Sequence, residues 1–239
     1  MSDSPGSGAS RRRSGLSVAE GDTSDRRRRM SSTGVETNEW ANAEHARAFL
    51  DRRAGLPRVE VAYAELLEIL PDNPKRVLDL GCGDGKVMAM IGGSGVAVDF
   101  SPHMLELARA RFHADDVEVV EHNLNAPLPD LGTFDVAVSA FAIHHCSHER
   151  KRELYAEVFD ALEPGGVFAN VEHVASPTPG LHEQFLRLIG TPPGEEDPSN
   201  KLLDVETQLR WLREIGFVEV ECFWKWRELA LLSGYKPQV

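Results

Sequence analysis

Asp79 is followed by glycines at alternate positions, Gly81, Gly83 and Gly85, in the stretch Val77-Leu-Asp-Leu-Gly-Cys-Gly-Asp-Gly-Lys-Val87. An apolar run that breaks into spaced glycines predicts a buried parallel strand ending in a tight turn at a helix N-terminus. Glycine there adopts positive φ and lets a ligand approach the backbone with no Cβ in the way. A second apolar run, Gly95-Val-Ala-Val-Asp99, also closes on a carboxylate. The separation suits a β-α-β unit whose second strand presents Asp99 to a ribose diol. The chemistry open to this set is the holding of a nucleoside.

Positioning those residues requires strands and helices in alternation. Apolar runs predict strands at 76–80, 95–99, 117–121, 134–139 and 166–173, and helical patterns intervene at 86–91, 102–113 and 148–162. Ser101-Pro102 puts a capping residue ahead of a proline at the first helical position. This alternation argues for a parallel sheet covered on both faces. Ahead of it, residues 38–53 and 57–70 read as two helices, an N-terminal cap. Residues 176–203 hold many of the remaining prolines and the amphipathic piece Leu181–Ile189, and read as an insertion. A helix at 204–215 precedes two apolar runs, Phe217–Trp224 and Arg227–Tyr235. These are joined too closely for a crossover helix, so they form an antiparallel hairpin.

The 239 residues carry a formal charge of −12, unevenly spread. Residues 1–37 hold seven Arg against five Asp or Glu and almost no large apolar groups, so the segment reads as a disordered tail. Its clusters Arg11–Arg13 and Arg26–Arg29 read as solvated charge, and Met30 just beyond them is an alternative start. The body at 38–239 is net −14. A phosphate backbone repels such a body, so nucleic acid is a poor default partner. No run approaches a membrane span or a signal peptide, so no membrane partner is implied. Cys82, Cys146 and Cys222 are scattered and odd in number, which fits a reducing, cytoplasmic setting.

Taken together these features resemble a class I S-adenosylmethionine-dependent methyltransferase of the small-molecule type. The glycine spacing is G-x-G-x-G, whereas the dinucleotide fingerprint is G-x-G-x-x-G. Val98-Asp-Phe-Ser-Pro102 resembles the end of the family's second strand, and Phe134-Asp-Val-Ala-Val-Ser139 its fourth. Leu162-Glu-Pro-Gly-Gly166 resembles the turn before its fifth strand, and the final hairpin its reversed last strand. The resemblance covers 70–175 well and 204–235 in outline. It implies an α/β fold, a three-layer Rossmann-like sheet of about seven strands, mostly parallel, with helices on both faces. The methyltransferase domain would span 71–239, with 176–203 over the substrate cleft.

The resemblance also implies roles. Backbone at Gly81, Cys82 and Gly83 would pass close to the methionyl part of S-adenosyl-L-methionine, with Asp79 holding the loop and the amino end. Asp99 would take both ribose hydroxyls. Phe100 and Met104 would pack on the adenine, Asn123 would accept from its amino group, and Leu124 would offer its N–H to the ring. Asn stands at 123 where the family most often has Asp, so that contact is weaker. Ala140 would lie near the carboxypropyl chain. The product would be S-adenosyl-L-homocysteine. Taken singly, Asp79 would only cap a turn, Cys82 would be a small buried side chain, and Phe100 and Met104 would be core.

Methyl transfer from a sulfonium is an in-line displacement whose leaving group needs no acid, so alignment and exclusion of water dominate. An acceptor that must lose a proton needs a general base. His144, His145, Glu172 and His173 stand at the C-terminal ends of the fourth and fifth strands, where open α/β sheets place ligands. Strand alternation turns only one of Glu172 and His173 toward the cleft. Adjacent His144 and His145 diverge by about 100° on a helix start and lack an evident third ligand, so no metal is assigned. Trp40, Tyr63 and Phe141 are candidate pocket aromatics, and Trp224 and Trp226 are expected to pack on a sheet face. Three competing readings are a nicotinamide-dependent oxidoreductase, a methyltransferase acting on RNA or protein, and a non-catalytic or cofactor-modifying relative. The acceptor, expected to be a small molecule, is not specified by these motifs.

Overall fold

A computed structural model describes residues 42–113, 116–192 and 194–238. The tail to Thr37, Met30 and Trp40 lie outside the described residues. The central strands are continuous apolar runs because they are buried on both faces. β1 (Arg76–Leu80), β2 (Ser94–Asp99) and β4 (Phe134–Ala140) have almost every residue buried or nearly so, while the edge strand β3 (Val117–Glu121) mixes exposed with covered positions. With β5 (Leu162–His173), β6 (Val218–Trp226) and β7 (Leu229–Tyr235) they form a seven-stranded sheet in the order β3-β2-β1-β4-β5-β7-β6. Only β7 is reversed, antiparallel to both β5 and β6. The expected hairpin is present, with β7 inserted between β5 and β6.

Side-chain alternation divides the sheet between two cores. Val77, Ala97, Val138 and Ala169 face α2 (Val59–Glu68), α3 (Lys86–Ile91) and α4 (Pro102–Arg111). Leu78, Leu80, Val96, Val98 and Phe168 face α5 (His148–Ala161) and α7 (Val205–Ile215). Truncating a buried leucine such as Leu78 to alanine would cost about 2–5 kcal/mol. Trp224 and Trp226 pack, half-buried, on the first core. Tyr63, expected as a pocket aromatic, belongs to that core at 1% exposure.

Element ends differ from the sequence reading where side chains override propensity. The first helix, α1, is Ala43–Gly55, capped by the Asn42 side chain accepting from Glu44 N–H. The helix expected to reach 113 stops at Arg111, because extended Phe112 turns its ring under the glycine loop. An added Cβ on Gly85 would stand 2.4 Å from that ring. The Glu-Pro-Gly-Gly turn is a bulge inside β5: Leu162 pairs with Phe134 and Val167 with Val136. The 176–203 segment contains α6 (Pro179–Ile189), capped by Thr178 and ended by left-handed Gly190.

The chain runs from β1 outward to β2 and β3, then returns to the other side of β1 for β4. That reversal opens a crevice at the C-terminal ends of β1 and β4. Gly81–Gly85 follows β1 there. Phe141 and a 3-10 turn at Ile143–His145 follow β4, and His173 closes β5 beside them.

Candidate functional site

Gly81, Gly83 and Gly85 all have positive φ, at 69°, 56° and 76°. At Gly81 the need for glycine is steric as well, since an added Cβ would lie 2.2 Å from the Ala142 Cβ. The loop after β4 therefore sits directly on the glycine loop. Above Gly83 there is space: a Cβ would meet only Arg53 Nη1 at 3.7 Å and Met104 Sδ at 3.9 Å. Such a backbone cradle, approachable where a Cβ would project, fits a ligand passing close to the main chain.

The two strand-end carboxylates differ. Asp99 accepts from Gly83 N–H at 2.9 Å and from Ser101 N–H at 2.8 Å, which fixes its plane and leaves further lone pairs on each oxygen. Ser101 takes the N-cap position of α4 without a side-chain cap bond. Burial raises the Asp99 carboxyl, and the amides of Ser101, Gly83 and Phe100 oppose the rise. Asp79 is 1% exposed, and its Oδ2 has no hydrogen-bond partner among the described residues. Burial pushes that carboxyl up to about 7, against a hydrogen bond from the Met88 backbone. A buried carboxylate oxygen without a donor is destabilising unless a cation supplies one. A ligand carrying an ammonium group fits that vacancy of partners, so these residues suit S-adenosylmethionine.

Phe100 is half-buried and Met104 is buried beside Gly83. Cys82 is buried and its thiol is raised well above the ordinary range by burial, which suits packing rather than nucleophilic work. Leu124 is buried, and Ala140 packs half-buried on the first core. Asn123 is exposed and its Oδ1 accepts from Asn125 N–H at 2.9 Å. The oxygen expected to serve the adenine amino group thus already closes a local turn.

Beside the loop lies a cavity of about 450 Å³ whose wall includes Phe49, Phe141, His144, His145, His173, Phe185, Ile189 and Leu229. The structure brings all three histidines to one wall and puts Glu172 behind them, fully buried. Glu172 Oε1 lies 2.8 Å from His144 Nδ1 and accepts from His173 N–H, while Asn170 Nδ2 donates to Oε2. Burial raises Glu172, opposed first by the Lys151 ammonium. Burial holds His144 well below the usual imidazole range, helped by His173 and Lys151. His145 is lowered to about 3 by burial and then by His144, and its Nδ1 is 2.8 Å from Ser199 Oγ.

Sequence reasoning missed four residues here. Arg53 of α1 lines the cavity, approaches Gly83 and pairs with Asp84 at 2.9 Å, a pair completed by Arg111. Lys151, 0% exposed, donates to the carbonyls of His144, Cys146 and Lys201, pinning the histidine turn to the insertion. Glu228 and His182 join His173 in a charged network. Spacing could not have found them, because Arg53 meets Asp84, Lys151 meets Lys201, and Glu228 meets His173 and His182 across 31 to 55 residues. Among the described residues no His, Cys, Asp and Glu cluster is placed to hold a metal. No described helix is long and apolar enough to cross a membrane.

Residues 77–166 match a family model described as a methyltransferase domain. Over 172 residues, 64% of this chain, the sequence is 30% identical to a demethylmenaquinone methyltransferase of Clavibacter sepedonicus, covering 69% of that protein. An O-methyltransferase family protein from Burkholderia thailandensis superposes with a TM-score of 0.64 at 21% identity, covering 84% of this chain and 62% of that one. Human N-acetylserotonin methyltransferase, solved with S-adenosylmethionine, superposes with a TM-score of 0.60 at 15% identity over 87% of this chain and 60% of its own. The chain thus spans about 60% of those two solved structures, and at such identity they speak for the fold. The nicotinamide reading finds no support in either the sequence or the fold match. With the seven-stranded sheet, the reversed β7 and the G-x-G-x-G loop, these matches lead to one conclusion: the chain belongs to the class I S-adenosylmethionine-dependent methyltransferases, and its cofactor is S-adenosylmethionine.

Proposed function

We propose that the methyl acceptor is a small, largely apolar molecule carrying an acidic hydroxyl, bound in the cavity beside the glycine loop. The observation that carries this reading is the wall itself. Phe141, Phe185, Ile189 and Leu229 offer apolar surface, and His144 lines the same cavity with its Nδ1 committed to Glu172. Glu172 already accepts two other hydrogen bonds, so His144 donates Nδ1–H and keeps the Nε2 lone pair. When bound, S-adenosylmethionine supplies an electrophilic methyl group. Asp79 would hold its amino group, the backbone of Gly81 and Gly83 would flank its methionyl chain, and Asp99 would accept from the ribose hydroxyls. Phe100 and Met104 would pack on the adenine, with Leu124 N–H directed to its ring.

His144 would take the acceptor's proton at Nε2. An imidazole held below its usual range takes protons more readily from acidic groups than from aliphatic alcohols. Phenol- or enol-type hydroxyls therefore suit it better than aliphatic alcohols. The same deprotonation activates either the oxygen or a ring carbon, so it serves O- and C-methylation alike. The name of the Clavibacter relative, a demethylmenaquinone methyltransferase, supports an apolar ring acceptor. The test is S-adenosylhomocysteine release with a panel of phenols, enols and matched aliphatic alcohols. Turnover is expected with the acidic hydroxyls and should fall about 10²–10⁴-fold in His144→Ala. Equal rates with the aliphatic alcohols, or an unaffected His144→Ala, would overturn the reading.

A further inference from the structure

Glu228 sits in the turn between β6 and β7 and is 0% exposed. Its Oε2 lies 3.1 Å from His173 Nε2, and both its oxygens lie 3.0 Å from His182 Nδ1. The Ser176 hydroxyl also donates to it. His182, on α6, meets Glu196 through its other nitrogen at 2.9 Å. Neighbours of this group include Phe185 and Trp226, His144 with its ring centre 5.7 Å from that of His173, and Arg227, which bonds Gln184 and accepts from Lys225. Three chain segments thus meet on one buried carboxylate: the end of β5, the hairpin turn and the 176–203 strap.

The proton positions follow from donor chemistry. An ionised carboxylate only accepts, so a bond to His173 Nε2 requires the proton on Nε2. His173 Nδ1 then has no hydrogen-bond partner among the described residues, and the ring lines the cavity. His182 has a carboxylate at each nitrogen and so carries both protons; Glu228 and Glu196 hold its titration above the usual imidazole range. His173, His182 and Ser176 in turn hold Glu228 below the usual carboxyl range. The arrangement mirrors the His144–Glu172 pair with opposite ring nitrogens engaged.

We propose that Glu228 is a positioning residue of the acceptor site: it holds His173 as the Nε2–H tautomer, leaving Nδ1 as an acceptor at the cavity wall, and through His182 it couples that tautomer to the seating of the 176–203 strap. The proposal rests on reading the cavity as the acceptor site, but its test needs no acceptor. In long-range proton–nitrogen spectra of the ¹⁵N-histidine-labelled full chain with S-adenosylhomocysteine, His173 should show a protonated Nε2 and a bare Nδ1 at pH 7–8, its signals assigned by their loss in His173→Gln. Glu228→Gln should convert His173 to a mixture of tautomers and speed amide exchange across 179–189, with S-adenosylhomocysteine affinity unchanged within about twofold. A Glu228 that only staples the strap would speed exchange without moving the tautomer, and that outcome overturns the proposal. So does a wild-type His173 protonated on Nδ1. Should Glu228→Gln fail to fold, His182→Gln keeps the carboxylate and removes its strap partner: a mixed His173 tautomer supports the coupling, and an unchanged one refutes it. Absence of methyl transfer to every phenol and enol, with these spectra as expected, would count against the acceptor reading and leave the positioning role standing.

Discussion

The cofactor half of this site and the half we assign to the acceptor are built in different ways. Asp79, the glycines and Asp99 come from consecutive elements, and the longest bond among them, Gly83 to Asp99, spans 16 residues. The acceptor half draws on α1, the turn after β4, the end of β5, α6, the loop beyond it and the β6–β7 turn. Its polar bonds span 28 residues for His144–Glu172 and 55 for His173–Glu228. Local construction makes the nucleoside cradle independent of most of the chain. Long-range construction makes the cavity depend on the insertion staying seated, so variation there can change the acceptor without touching cofactor binding.

The packing of the glycine loop on the turn after β4 joins the halves, and overfilling it should have the largest effect. Gly81→Ala places a Cβ on Ala142 at a positive φ and should lower stability by about 2–5 kcal/mol. Urea unfolding measures this, and Ala142→Gly in the same chain should recover the steric part. Lys151→Met removes the ammonium shared by the His144, Cys146 and Lys201 carbonyls, of which His144 keeps the Lys201 N–H, and should cost about 2–4 kcal/mol. In protein that remains folded, turnover should fall while S-adenosylhomocysteine affinity holds, because only the acceptor half is pinned by Lys151. A parallel loss of affinity would show that the halves are not separable in this way.

Asp99→Ala tests the other side. It should weaken S-adenosylhomocysteine binding by about 1.5–3 kcal/mol by calorimetry, the scale of hydrogen bonds to a charged group. An unchanged affinity in folded protein would refute the ribose assignment. Asp79 should impose a pH dependence on the same measurement. With its carboxyl raised to about 7, it is neutral below that pH and cannot pair with an ammonium. Affinity should therefore fall by up to about tenfold per unit as pH drops below 7, and Asp79→Asn should flatten the slope.

The smallest predicted effect is a difference of sign between Asp79 and the two buried histidines. A carboxyl whose folded pKa lies above its unfolded value destabilises the fold as pH rises between the two, so Asp79 favours the apo fold as pH falls from about 7 toward 4. His144 and His145 are lowered, His145 to about 3. The unfolded chain takes up those protons near pH 6.5 while the fold resists them, so stability is lost as pH falls below that value. In thermal melts between pH 5 and 7, Asp79→Asn should steepen the acid loss and His145→Gln should lessen it. Identical slopes in the two variants would contradict the assignment.

Most of the fold could be read from the residues. Strands buried on both faces leave continuous apolar runs, and Pro102, Gly85 and Gly190 mark helix ends. Misplaced ends have local causes: Phe112 leaves its helix to pack under Gly85, and Glu163–Gly166 forms a bulge rather than a turn. The site was legible only in part. His144, Glu172 and His173 were identified as a group, but their pairing was not. Asn123 carries the right amide, and its oxygen closes its own turn.

By itself the amino-acid sequence determined the nucleoside cradle, because positive φ, backbone access and a carboxylate at a strand end are properties of a few adjacent residues. Only the tertiary structure decided that Glu228, in the turn between β6 and β7, is wholly buried, and that Arg53 leans over the glycine loop. The reason is physical: burial and charge pairing are set by what lies opposite in space. Here that is a strap and a helix brought in from distant parts of the chain.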